Sequence, residues 1–313
     1  MPDPLVDPPA PETLGAPWRQ RWDDLPPSVR GGIIFIVASA IFSLMIALIK
    51  LAGERLHVTE ILLFRQITMT VIAAPVIIAG WPESMRSERP RLQVARVGVA
   101  FLAMTLGFAA IIHLPMAEAT VISFSKGFFA TILAIIILGE IVRVPRWTAL
   151  IVGFIGVMVI IWPQDGSVFN LWHLMALISA LCVSVVMIFI RILSQIDKPV
   201  TILTYQAVGV GVLMIVPSWY YWVTPTLEEW GLLIAIGALS AVAQYLNILA
   251  FREGEASALA PLEYTRLVFA TALGWWLFTE WPEPRVWFGA AIIVAAALFM
   301  LYRERRAGRR TSP

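Results

Sequence analysis

The sequence is short of the residues on which soluble proteins and most enzymes rely. Only 14% of its 313 residues are charged, against roughly 25% in a soluble domain. Its one cysteine, Cys182, stands inside an apolar run, which excludes a disulfide framework. The three histidines, His57, His113 and His173, each fall near the end of an apolar run. They make no metal-ligand spacing such as HExxH, so interfacial positions suit them and no metal or other cofactor is expected. Loop acids are isolated from one another. A membrane enzyme acting on a lipid or isoprenoid clusters Asp or His at one face, so that reading stands second and no catalytic residue is assigned. The net charge is only +2 and the basic residues are scattered, so no nucleic-acid partner is expected. Lysine is scarce, three against twenty arginines, the bias of a GC-rich genome and so of a bacterial source.

Apolar residues are abundant, at 59% with a mean hydropathy of +0.81, more than a soluble core could hide. A membrane span needs about 20 mostly apolar residues, and ten such spans fit this length. The runs predict an all-α polytopic fold with spans near 31–50, 58–80, 94–113, 116–138 and 147–163. A second set lies near 171–191, 199–221, 231–250, 256–279 and 286–302. Turn formers such as Gly80-Trp81-Pro82 and Pro163-Gln164-Asp165-Gly166 mark the short loops. Residues 1–30 hold eight prolines and read as a disordered tail, and 303–313 as a basic tail.

Lysine and arginine counts set the orientation. With the N-terminus cytoplasmic, 17 cations fall on the inner side and three, Lys50, Arg55 and Arg285, on the outer side. That places both termini inside and the chain in a bacterial inner membrane. The remaining three cations, Arg65, Lys126 and Arg266, lie within spans.

The chain also repeats itself. The stretch from Glu118 to Trp147 recurs 140 residues later, ending at Trp287. Lys126 meets Arg266, the triplet Phe129-Ala130-Thr131 meets Phe269-Ala270-Thr271, and Glu140 meets Glu280. Ser43 and Pro75 likewise meet Ser184 and Pro217, while Phe64-Arg65 meets Tyr205-Gln206. Five spans per copy is an odd number, so the second copy, 171–302, enters the membrane from the side opposite to the first, 31–163. Inverted halves of this kind are the architecture of secondary transporters, with a solute site between the repeats near mid-bilayer.

The endings Leu138-Gly139-Glu140 and Phe278-Thr279-Glu280, with the tryptophan and glycine-rich span from Trp147 to Gly156 that follows, resemble the EamA-type ten-helix transporters of the drug/metabolite transporter superfamily. The resemblance covers roughly residues 31–302. It implies alternating-access transport of a small metabolite, such as an amino acid, a vitamin of riboflavin type, or a nucleoside-like compound of S-adenosylmethionine type. Small relatives couple to protons through a carboxylate in their first span; here Gly31 to Lys50 holds no acid, so that mechanism is not carried over.

Lys126 and Arg266 are the leading solute contacts, because a charge at mid-bilayer usually faces a wet cavity and marks a pathway. Glu263, one turn before Arg266, is its expected partner. Lys126 has no acid within a turn, and a buried lysine can lose its proton, so it is also a candidate coupling group. Arg65 either joins the site or snorkels outward. Ser123 adjoins Lys126. Gln244 and Asn247, with Ser240, form a polar stripe that lines a path or bonds a neighbouring helix. Tyr264 and Trp275 are candidate aromatic walls. Glu140 and Glu280, at span ends, suit a tethering or capping role. Pro75, Pro217 and Pro261 are candidate hinges, since proline breaks the helical ladder. The partners implied are a small solute and the bilayer, with a homodimer the one protein assembly the reading admits.

Overall fold

The computed structural model describes residues 25–82, 85–139, 144–162, 170–253 and 259–308. They form eleven α-helices and one 3₁₀ segment, with no strand among the described residues. In the first half these are α1 (Pro27–Ala52), α2 (Val58–Ala79), α3 (Pro90–His113), α4 (Met116–Ser123), α5 (Lys126–Leu138) and α6 (Val144–Ile161). In the second they are α7 (Leu171–Leu193), α8 (Pro199–Tyr220), α9 (Leu227–Glu253), the 3₁₀ turn (Ala260–Tyr264), α10 (Thr265–Phe278) and α11 (Pro284–Gly308). Most of the tail expected over residues 1–30, and Glu140, lie outside the described residues; α1 begins at Pro27.

Seven segments are long and apolar enough to cross a membrane. They are Val29–Ala52, Val58–Pro75, Pro90–His113, Met116–Ile137, Leu171–Leu193, Val200–Tyr220 and Leu227–Glu253. Ile151–Ile161 and Pro284–Ala296 are shorter apolar stretches. The expected span 256–279 is met by the 3₁₀ turn and α10, neither of which is long enough alone.

Proline at the first turn of α1, α3 and α8 starts each helix where its missing N–H costs nothing. Asn170 caps α7, its side-chain oxygen accepting from Trp172 N at 3.0 Å. Gly139 ends α5 at φ +68° and Thr279 ends α10 at φ +57°. These are matching places in the two sequence copies. Glycine reaches the left-handed region freely, whereas threonine is strained there.

The packing is inside-out relative to a soluble protein. Val71, Ile78, Ile136, Val216, Trp219 and Leu227 are each more than 60% exposed, a surface suited to lipid. Polar groups are buried between helices instead. Arg96 is 1% exposed, and it donates to Gln93 Oε1 at 3.1 Å, Gln206 Oε1 at 2.8 Å and Ile202 O at 2.8 Å. Gln93 in turn donates to Asp197 Oδ2 at 2.8 Å. Burial pushes the Asp197 carboxyl up, but hydrogen bonds from Ser87, Gln93 and the Glu88 amide outweigh it and hold the group below the ordinary carboxylate range. Two cations that sequence counts placed at the membrane surfaces, Arg96 and Lys50, are therefore inside the bundle.

Helix pairings fall into matched sets. The contact of α1 with α9 is mirrored by that of α7 with α3. That of α2 with α9 is mirrored by α8 with α3, and that of α1 with α10 by α7 with α5. The pairs α2–α8 and α6–α11 are their own mirrors. At α6–α11 the helices touch backbone to backbone: a Cβ on Gly156 would lie 2.9 Å from Gly289 O, and one on Gly289 2.7 Å from Gly156 O. Small residues allow this approach where lipid offers no hydrophobic drive for helix association. Gly156 ends the glycine-rich span noted in the sequence; Gly289 has no such mark.

Candidate functional site

Both sequence copies break their fourth span one residue before, or at, the cation. In the first, α4 stops at Ser123 and α5 starts with Lys126. Across the break the amides of Phe124 and Ser125 bond to carbonyls three residues back, and Ser125 Oγ also donates to Ile122 O, at 2.7 Å. In the second, the 3₁₀ turn ends at Tyr264, and Thr265 Oγ1 donates to Leu262 O at 2.6 Å, again three residues back. A hydroxyl that takes a backbone carbonyl competes with the helical ladder. Neither break falls on a proline; Pro261 lies earlier, in the 3₁₀ turn, while Pro75 and Pro217 sit within α2 and α8.

These breaks bring the two cations together. Lys126 Nζ forms an ion pair with Glu263 Oε1, 137 residues away in sequence. Arg266 Nη1 lies 3.6 Å from the same oxygen. One carboxylate thus serves two cations, and Lys126 has the acidic partner that its own helix lacks. Arg266 also rests over the Phe42 ring, 4.5 Å from its centroid, a cation–π arrangement.

Lys126 and Arg266 line a cavity of about 250 Å³. Its walls are Phe42, Ser43 and Ile46 of α1, Met104, Gly107 and Phe108 of α3, and Met116, Thr120 and Ser123 of α4. Ser179 and Val183 of α7 and Ala270 of α10 complete them. The hydroxyls of Ser43, Thr120, Ser123 and Ser179 all donate to backbone carbonyls. Their lone pairs face a chamber that is otherwise apolar. The chamber can therefore accept hydrogen bonds from a solute through these oxygens and answer an anionic group through the two cations.

The remaining sequence-read candidates are placed as follows. Tyr264 packs edge-on against Phe124, with centroids 4.9 Å apart, and does not line the cavity. Arg65 turns inward over Phe108 at 5.7 Å, behind the cavity wall. It does not snorkel outward, because Phe108 and Gln66 hold it. Gln244 is exposed and Asn247 donates to its own helix at Ala243 O, 2.9 Å; neither lines the cavity. Trp275 is 59% exposed and stands with Trp281, centroids 6.2 Å apart, away from the chamber. Phe42, Thr120 and Ser179 are wall residues that sequence reasoning missed. Small hydroxyls and a phenylalanine in apolar helices carry no distinguishing signal there.

A second ion pair lies next to the chamber wall, at Met116. Glu280 pairs with Lys50, and its other oxygen accepts from Met116 N at 3.0 Å, the first residue of α4. Lys50 Nζ also donates to Leu114 O at 2.6 Å. Met116 is itself a wall residue. Glu280 thus caps a helix of the other half rather than the helix that follows it.

The model of the EamA-like transporter family matches twice, over residues 29–162 and 170–302. An S-adenosylmethionine uptake transporter of Rickettsia bellii is 31% identical over 258 residues, covering 82% of this chain and 88% of the relative. A pseudopaline exporter of Pseudomonas aeruginosa is 32% identical over 273 residues, 86% and 94%. A riboflavin transporter of Brucella anthropi is 26% identical over 265 residues, 81% and 92%. One crystallised protein aligns with a TM-score of 0.64 at 18% identity, covering 90% of this chain and 99% of its own, which speaks to the fold alone.

Proposed function

Because the chain belongs to the EamA-like transporter family, a multi-pass bacterial inner-membrane transporter and not an enzyme, we propose that it carries a small polar or anionic metabolite by alternating access, an amino acid or related compound foremost. The observation that carries this reading is the chamber wall, where Lys126 and Arg266 from matching places share Glu263. A solute carboxylate can take over part of what Glu263 supplies. The volume of about 250 Å³ favours a compact solute, since drug-sized ligands occupy about 300–1,000 Å³. A vitamin or S-adenosylmethionine-type solute is the second reading, favoured by the names of the relatives. Uptake into proteoliposomes of labelled amino acids, S-adenosylmethionine and riboflavin decides between them. If none of these moves against a protein-free control, the reading fails.

The ten-span arrangement as two inverted halves, with both termini cytoplasmic, belongs to the same proposal. Its supports are the sequence duplication, the mirrored helix pairings, the matched hydroxyl-made breaks and the left-handed caps at Gly139 and Thr279. Reporter fusions after Pro163 and after Val223 are expected to read periplasmic, and those after Arg89 and Arg305 cytoplasmic. An odd number of crossings would contradict the inverted halves.

Pro75 and Pro217, inside α2 and α8 at matching places, are proposed as hinges, with Pro261 as a third. Proline removes one ladder bond and bends a helix there. Pro75→Ala or Pro217→Ala is expected to slow flux several-fold with little change in unfolding temperature. Unchanged flux in both single variants removes the hinge role.

A further inference from the structure

The end of the bundle that carries Lys50 and Glu280 holds a second polar cluster. Glu118, in the first turn of α4, is 4% exposed, and His173, in the first turn of α7, is 7% exposed. His173 Nε2 lies 2.8 Å from Glu118 Oε1. Arg285, from the start of α11, brings Nη2 to 3.7 Å from the same oxygen, and its Nε pairs with Glu283 at 2.6 Å. His173 Nδ1 is buried and has no hydrogen-bond partner among the described residues. Buried polar atoms are normally satisfied, and an orphan asks for an explanation.

An ionised carboxylate only accepts hydrogen bonds, so Nε2 of His173 carries a proton and donates it to Glu118. In the neutral imidazole, Nδ1 then holds a free lone pair. With that imidazole neutral, the charged side chains of the cluster, Glu118, Glu283 and Arg285, sum to one negative charge. A proton on Nδ1 brings the sum to zero. Among the described residues no other charge contacts the pair directly. Of its neighbours, α3 contributes His113, stacked on Trp172 at 3.5 Å, and α6 contributes the Trp162 carbonyl, 3.4 Å from Arg285 Nη1. The Lys50–Glu280 pair reaches α4 two residues earlier, at Met116.

The position links this cluster to the chamber. Glu118 belongs to the first half, and His173 and Arg285 to the second. Glu118 lies between two wall residues of α4, Met116 and Ala119, and His173 lies one turn before the wall residue Ala176 of α7. Along α4 the wall continues through the hydroxyls of Thr120 and Ser123 to Lys126. α4 packs on α7 here, so Glu118 and His173 face each other across a contact between the two halves, beside the chamber.

We infer that Glu118 and His173 form the proton-binding site through which solute movement is coupled to the proton gradient. The inference rests on the transporter reading and adds to it the coupling ion, which the acid-free first span leaves without a carrier. The step is a protonation alone: one proton adds to the lone pair of Nδ1 from water on one side and leaves to water on the other.

Proteoliposomes loaded with pyranine and given an inward pH gradient test it, with labelled amino acids, S-adenosylmethionine and riboflavin as the probe solutes. Wild type and His113→Gln are expected to bring in protons together with the solute that moves. His173→Gln is expected to lose that proton entry while solute counterflow, which needs no net proton movement, continues. Solute uptake without protons in wild type, or proton entry preserved in His173→Gln, overturns the inference and leaves the transporter reading intact. If His173→Gln does not insert, Glu118→Gln is read by the same criterion. Nitrogen-15 NMR of histidine-labelled protein decides the matter even where none of these solutes moves. The His173 resonances must report a proton on Nε2 and a bare Nδ1, and must shift in Glu118→Gln; a His173 signal that Glu118→Gln leaves unchanged overturns the site.

Discussion

Proteoliposomes carrying Lys126→Gln are expected to take up no solute above background, and those carrying Arg266→Gln the same, while both proteins insert and purify. Each cation lines the chamber, and each shares Glu263. A solute carboxylate that loses one charge-assisted hydrogen bond loses about 1.5–3 kcal/mol, roughly ten- to a hundred-fold in affinity. Loss of both attraction and orientation between two states multiplies that effect in flux. Folding survives, because Glu263 keeps Arg266 when Lys126 is removed, and Lys126 when Arg266 is removed. The double variant Lys126→Gln/Glu263→Gln removes charge in balance. It should match wild type in expression and still fail to transport. Normal flux in both single variants would assign these cations to structure alone.

Glu280→Gln is expected to produce the largest loss of stability among single changes in the chain. Lys50 is 8% exposed, and its ammonium answers Glu280 and the Leu114 carbonyl and lies over the Phe278 ring, 5.2 Å from its centroid, with Glu280 the one acid it pairs with among the described residues. Taking one partner from a buried ion pair costs about 3–5 kcal/mol, since the other charge is left uncompensated. Glutamine can still accept from Met116 N, so the helix cap remains and the loss reports the charge. Tryptophan fluorescence followed through thermal unfolding in detergent should register a large fall in midpoint. Replacing both partners with apolar residues, Lys50→Met and Glu280→Leu, should recover most of it, because an apolar pair of similar volume replaces a buried ion pair at little cost. A midpoint unchanged in Glu280→Gln would place the pair in open water and remove its role in holding the two halves together.

Much of this arrangement is legible in the residues, and the parts that are not share a physical cause. The duplication singled out Lys126 and Arg266, because no shared composition would align a cation within two apolar runs. It also singled out Glu280 as a structural landmark. What the sequence does not carry is contact between elements far apart along the chain. Lys126 finds Glu263 and Lys50 finds Glu280 only through packing, across 137 and 230 residues. Lys50 and Arg96 read as surface charges because they lie near span ends; in the fold they point back between helices and saturate on carbonyls and amides. Ser240, Gln244 and Asn247 share a face by periodicity, but periodicity does not say which face meets a neighbour. Ser240 is buried against Met69, while Gln244 points away from the bundle. The fourth span read as one continuous helix, since nothing at Phe124-Ser125 is a proline or glycine, the usual marks of a break.

That break has a consequence of its own. A helix interrupted by proline is interrupted for good, because the missing N–H cannot be restored. The interruptions before Lys126 and at Arg266 are made instead by Ser125 and Thr265, whose hydroxyls hold carbonyls three residues back. Such a hold is an exchange of acceptors, worth about 0.5–1.5 kcal/mol, the net value of one hydrogen bond. Winding a single residue into or out of a helix turns everything attached to it by about 100°. The two charges of the chamber therefore stand beside breaks held by about one to two and a half times thermal energy, a difference that the binding of an anion can offset.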